Sequence, residues 1–142
     1  MNIAVASDHA GFRLKSVIVP YLSEHGWEVI DTGTYSEDPV DYPDYIGPAA
    51  ERVARGKSSR GIVMGGSGNG EAMTANRIQG VRCAVCWNVE AARLARAHNN
   101  ANMIALGAWF ISSKDALYIV DMWLKTDFEG GRHARRIFKI DR

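Results

Sequence analysis

The chain has 142 residues, 46% of them hydrophobic and 23% charged, which is the size and composition of one globular domain and excludes disorder or a disulfide-stapled miniprotein. Apolar runs are broken by charge or glycine well short of the roughly 18 residues of a membrane span, and no secretion or targeting segment is visible at Met1–Ser7. Seventeen basic residues against sixteen acidic ones leave a formal charge of +1, without a basic stripe to follow a phosphate backbone, so neither nucleic acid nor membrane is an expected partner.

In chain order, Ile3–Ala6 reads as a first strand and runs into Ser7-Asp8-His9-Ala10-Gly11. Leu14, Val17, Ile18, Tyr21 and Leu22 then mark one face of a helix, which Pro20 is expected to kink or fray. His25 before Gly26 reads as chemistry of that helix's end. A second strand follows at Trp27–Ile30, and the stripe Ile46, Ala49, Ala50, Val53 and Ala54 predicts a second helix. Asp41 or Tyr42 would start it, ahead of a proline suited to a first turn.

The third strand, Gly61–Met64, leads into Gly65-Gly66-Ser67-Gly68-Asn69-Gly70-Glu71 at the head of a helix. Arg82–Cys86 reads as the fourth strand. Its Cys83 and Cys86 would lie on opposite faces with Cα atoms roughly 10 Å apart, too far for a disulfide. Buried thiols of this kind fit a reduced, cytoplasmic setting. A fourth helix closes at His98-Asn99-Asn100-Ala101-Asn102, before the fifth strand Met103–Leu106. Ala116, Ile119, Val120, Trp123 and Leu124 predict a further helix, and Glu129-Gly130-Gly131 precedes a short basic one. Five strands alternating with helices imply an α/β fold: a three-layer sandwich around a five-stranded parallel sheet, as a single domain over 1–142.

In such sheets ligands bind beyond the carboxyl ends of the strands, which singles out the segments after strands one and three. The glycine-rich run is a poor nucleotide loop. Glu71 stands where a dinucleotide fingerprint wants its third glycine and where a P-loop needs lysine. What remains is a tight loop of N–H donors with one hydroxyl, Ser67, and one carboxylate, Glu71, a set suited to enolising a sugar carbonyl. A plain helix-capping turn fits the same residues. Asp8-His9 reads equally as an N-cap with a neighbouring histidine, His98 as a helix C-terminal cation, and Arg132, Arg135 and Arg136 as a solvated face or a phosphate site.

Taken together, Ala6–Gly11, Asp41-Tyr42-Pro43, Gly65–Glu71, Ala75-Asn76-Arg77, His98–Asn102 and Gly130-Gly131-Arg132-His133 resemble, in order and spacing over essentially the whole chain, the type B ribose-5-phosphate isomerases of the RpiB/LacAB family. The resemblance implies a Rossmann-like domain, assembled as a dimer or dimer of dimers with a shared active site. It would convert phosphorylated sugars between aldose and ketose without metal or nucleotide, and ribose 5-phosphate to ribulose 5-phosphate is the leading pair. One branch of that family uses a cysteine just after the third strand as base. Gly65 stands there, so the chain resembles the other branch, whose base falls on Glu71.

By the same resemblance Ser67 assists the oxyanion within the loop Gly66, Gly68, Asn69 and Gly70, and His98 opens the sugar ring. Asp8, His9, Tyr42 and Asn99 contact substrate, and Arg132 and Arg136 hold its phosphate. Trp109 replaces an arginine common in the ribose-phosphate enzymes, either lining the pocket and shifting the preferred phosphosugar or plugging the fold under the last helices. Isomerisation of a tetrose, hexose or rarer pentose phosphate is the nearest rival, and a non-catalytic sugar-phosphate-binding module the rival of a different class.

Overall fold

The computed structural model describes residues 1–142. The strands β1 (Asn2–Ser7), β2 (Glu28–Asp31), β3 (Arg60–Gly65), β4 (Cys83–Val85) and β5 (Met103–Gly107) form one sheet in the order β2-β1-β3-β5-β4. Every pairing is parallel, with Ile3 opposite Val29 and Arg60, and Gly61 opposite Met103. The helices are α1 (Phe12–Glu24), α2 (Pro43–Ala54), α3 (Asn69–Asn76), α4 (Val89–Ala97), α5 (Ser113–Lys125) and α6 (Arg132–Asp141). The predicted Rossmann-like α/β sandwich is the fold observed.

Period-two alternation divides the core into two layers. Ile3, Val5, Ile62, Met64, Ile104 and Leu106 point to one face, under Leu14, Ile18 and Leu22 of α1 and Ile119, Val120 and Trp123 of α5. Ala4, Ala6, Val63, Met103 and Ala105 point to the other, under Ile46, Ala49, Ala50 and Val53 of α2 and Ala72 and Ala75 of α3. Alanines on both sides of that second interface let α2 and α3 approach the sheet closely, which brings the head of α3 over the end of β3.

Two local expectations are refined. Helix α1 continues through Pro20, which stands just before its last turn, and ends at Glu24, while Val17 lies at the exposed margin of the stripe. The fourth strand is shorter than predicted: Arg82 donates its N–H to the Asn102 side chain instead of the ladder, as befits the end of an edge strand. Cys83 and Cys86 are buried and unpaired on opposite faces of the sheet, as the spacing required.

Candidate active site

The connection after β1 runs to β2 on one side and the connection after β3 runs to β4 on the other, so a crevice opens between the carboxyl ends of the neighbouring strands β1 and β3. Asp8, the first residue beyond β1, donates its N–H to the Met64 carbonyl at 3.1 Å. Its Oδ1 accepts the Gly11 N–H at 3.0 Å, which fixes the carboxylate beside the end of β3 without capping α1, whose own N-cap is Gly11. Beyond β3 the chain turns through Gly68 at φ +83°, a conformation that favours glycine, and enters α3. Ala108 and Trp109 donate their N–H groups to the Gly65 and Gly66 carbonyls at 2.9 and 3.0 Å, pinning this loop from the β5 side.

The crevice holds a cleft of about 360 Å³ whose walls include Asp8, His9, Tyr42, Ser67, Glu71 and Trp109. Gly66 and Gly70 also line it, and a methyl group on either would collide with the Trp109 indole or the Tyr42 ring respectively. Ser67 Oγ accepts the Asn69 N–H at 3.1 Å, which leaves its hydrogen free to donate into the cleft. The first turn of α3 adds amide N–H groups without intrahelical partners. His9 Nδ1 accepts the Val40 N–H at 3.1 Å, so neutral His9 carries its proton on Nε2.

Glu71 is the electrostatic centre of this arrangement. Its side chain is buried, with the residue only 3% exposed. Burial pushes its pKa up to about 7, and the adjacent Asp8 carboxyl pushes the same way against a bond from the Glu71 backbone N–H. A carboxyl poised there takes and returns protons near neutral pH. Its position explains Gly65: a Cβ at residue 65 would overlap the Glu71 carboxylate. The carboxylate thus fills the space that a side chain on the residue ending β3 would occupy.

Trp109 is 73% exposed, with its indole over Gly66 and facing the cleft, so it is no plug beneath the last helices. The aromatic that fills the core under α5 is Trp123, fully buried and donating Nε1–H to the Ala101 carbonyl at 3.3 Å. Trp109 follows β5 directly, where the chain turns out at the carboxyl edge.

The remaining site candidates do not meet this cleft within the chain. His98 caps α4 and Asn99 follows it, at the opposite edge of the sheet, separated from Glu71 by the length of β5, roughly 15 Å. Arg132 and Arg136 are exposed on α6 and flank His133, which stacks on His98. Gly68 is the N-cap of α3 and Asn69 its first residue, facing solvent. Two residues at the far edge, Glu129 and His133, stand in sequence motifs to which no site role attached. His133 stacks on His98 with ring centroids 4.2 Å apart, and Glu129 Oε2 lies 3.7 and 3.8 Å from the Nε2 atoms of His98 and His133. Glu129 precedes α6, and the turn Gly130-Gly131 brings it back against His133 in the first turn of that helix.

Amide donors, a hydroxyl and a buried carboxylate near neutrality, gathered at the switch point of a parallel sheet, define a proton-transferring enzyme of the Rossmann-like α/β class. The model of the Ribose/Galactose Isomerase family matches residues 3–140, and the chain belongs to that family. It is 46% identical over 139 residues to ribose-5-phosphate isomerase B of Mycolicibacterium paratuberculosis, covering 96% of this chain and 87% of that protein. Among solved structures, the ribose-5-phosphate isomerase B of Clostridium thermocellum superposes with a TM-score of 0.98 at 48% identity, over 99% of this chain and 95% of that one. That of Mycoplasma genitalium, solved with bound ribulose-5-phosphate, gives 0.96 at 41% identity, over 99% and 94%.

Proposed function

We propose that this chain is an aldose–ketose isomerase that interconverts ribose 5-phosphate and ribulose 5-phosphate, with residues 1–142 acting as one isomerase domain. The observation that carries the reading is Glu71, a buried carboxyl with a pKa of about 7 held against Ser67 and the amides of the 66–70 loop. The Mycoplasma genitalium relative, with ribulose-5-phosphate bound on the same fold, supports the substrate pair.

In this mechanism His98 moves a proton between the ring oxygen and O-1 to open the furanose. Glu71 then removes the proton from C-2. The electron pair of that C–H bond forms the C1–C2 double bond of a cis-enediolate, and the charge developing on O-1 is met by Ser67 and the loop amides. The proton on O-2 then passes to O-1, and as the C-2 carbonyl forms the C1–C2 electron pair takes the proton back from Glu71 at C-1, which completes the ketose. Electrons stay within the substrate, so the chemistry needs no redox cofactor, and a base near pKa 7 serves both directions. Asp8, His9 and Tyr42 orient the hydroxyls, the indole of Trp109 covers the sugar's C–H face, and Arg132 and Arg136, with Asn99 nearby, take the phosphate.

The cleft beside Glu71 contains two carboxyls and no lysine or arginine, so a dianionic phosphate must find its cations elsewhere. His98, Arg132 and Arg136 stand together at the far edge of the sheet, and a second copy would present them to the first copy's cleft. The proposed unit is therefore a homodimer, or a dimer of dimers, with each site shared between chains. A cytoplasmic place in pentose phosphate metabolism accords with this chemistry and with the two unpaired thiols. No helix is long and apolar enough to cross a membrane.

The test is a coupled assay over a panel of aldose phosphates in the presence of EDTA. Ribose 5-phosphate is expected to give the highest kcat/KM. A tetrose or hexose phosphate in first place would move the substrate assignment to the rival attached to Trp109, and binding without turnover of any of them would make the chain a sugar-phosphate-binding module.

A further inference from the structure

The geometry points to a metal site at the far edge of the sheet: His98, Glu129 and His133 form a three-ligand pocket for a divalent transition ion such as Zn²⁺, whose binding withdraws His98 from ring opening. The metal-site clause stands on the cluster alone; the inhibitory clause rests on the role of His98 proposed above.

Two imidazoles and one carboxylate bring their ligand atoms within 4.8 Å of one another. In a tetrahedral zinc shell with bonds of about 2.0–2.1 Å, neighbouring donor atoms stand roughly 3.3 Å apart. The two histidine-to-glutamate separations, 3.7 and 3.8 Å, are close to that already. A second, independent sign is that the His133 side chain is only 8% exposed and its Nε2 is a buried nitrogen without a hydrogen-bond partner. Such an orphan is costly unless something satisfies it, and it is aimed at the Glu129 carboxylate and the His98 ring.

The three residues differ in freedom in a useful way. His133 is held in the core contacts of α6, while His98 and Glu129 are 36% and 52% exposed at the side chain. The rings are stacked within 12° of parallel, so closing on an ion requires the freer His98 ring to tilt and aim its lone pair between the planes. Glu129 is anchored to the end of α4 by its N–H bond to the Ala97 carbonyl at 3.0 Å, so it moves with His98. Two nitrogen donors beside a single carboxylate select zinc, nickel, copper or cobalt over magnesium and calcium.

The test uses the full chain, stripped with a chelator and dialysed, then titrated calorimetrically with zinc chloride and, in parallel, followed in the visible spectrum with cobalt chloride. One ion per chain is expected. The intense visible band of a low-coordinate cobalt site should appear in the wild type and be lost in Glu129→Gln and His133→Asn, each with zinc affinity weakened by about tenfold or more. Circular dichroism on both variants verifies folding. Absence of zinc binding, or binding of equal strength and the same cobalt spectrum in both variants, overturns the metal site. Zinc should also slow turnover of ribose 5-phosphate, reversibly with EDTA and with the same affinity read by calorimetry. Binding without that inhibition keeps the site and overturns the inhibitory clause, and with it the ring-opening role of His98 rather than the isomerase reading as a whole.

Discussion

The two ends of the sheet present opposite kinds of chemistry. At the carboxyl edge, the Asp8 carboxylate accepts the Gly11 N–H, Ser67 Oγ accepts the Asn69 N–H, and Glu71 is buried and near neutrality. At the far edge, His98, Glu129, Arg132 and Arg136 are wholly or partly exposed, and the arginines form no salt bridge within the chain. The first is a finished reaction centre without a cation; the second is a set of cations and an imidazole without a cleft. In the shared site proposed above, the open far edge of one copy would complete the cleft of the other.

The sharpest way to break this contrast is at its buried end. Glu71→Gln keeps shape and hydrogen bonding but removes the base, so turnover should fall by about 10²–10⁴-fold with substrate affinity largely retained. Deuterium exchange at C-1 and C-2 in D₂O should fall in parallel, and exchange at the wild-type rate would remove Glu71 from the mechanism. The same variant carries a stability signature. Because burial and Asp8 raise the folded pKa from 4.5 to about 7, the folded chain holds this proton more tightly than the unfolded one. The stabilisation is complete below the unfolded value and is lost as pH rises through about 7, where Glu71 becomes a charged, buried group. Denaturant titrations should therefore find Glu71→Gln more stable than wild type at pH 8 and no such advantage at pH 4.

Joining the two ends comes next in size. Equal mixing of inactive Glu71→Gln and His98→Asn subunits should restore roughly a quarter of wild-type activity, since half the dimers are mixed and each carries one intact site. No recovery after subunit exchange verified by mass spectrometry would place both residues in one chain's site or in none. A milder strike on the same geometry is Gly65→Ala, whose Cβ overlaps the Glu71 carboxylate. It should lower kcat by about tenfold or more through a displaced base. An unchanged kcat would show that the carboxylate reacts from another rotamer.

The open end answers differently from the closed one. His98→Asn should slow ribose 5-phosphate strongly yet affect a four-carbon aldose phosphate much less, because that substrate cannot close a furanose through its phosphorylated oxygen. Equal losses would assign His98 to proton transfer or to folding. The smallest effect belongs to Trp109→Arg. It supplies a forked cation to a cleft wall that has none and should lower KM for ribose 5-phosphate a few-fold with the melting temperature unchanged. An unchanged ranking among phosphosugars would show that the indole leaves specificity alone.

Much of this was legible along the chain because it depends on local repetition. Strand Ile3–Ala6 and the helix stripe Ile46, Ala49, Ala50, Val53 follow from periods of 2 and 3.6, and the opposite facing of Cys83 and Cys86 follows from an odd spacing in a strand. Glu71, Ser67, Asp8 and His9 could be nominated from their places just beyond strand ends. Tertiary structure alone decided the order β2-β1-β3-β5-β4, because which strands pair depends on how helices pack across the sheet, and no residue's neighbours encode it. It also decided that Glu71 rests where residue 65 has no side chain, that Trp109 faces the cleft while Trp123 fills the core, and that His133 stacks on His98 across 35 residues of sequence. Periodicity tells which face of an element is buried. What a buried carboxylate or an exposed imidazole meets there is set by a second element, and the energies of both groups depend on that meeting.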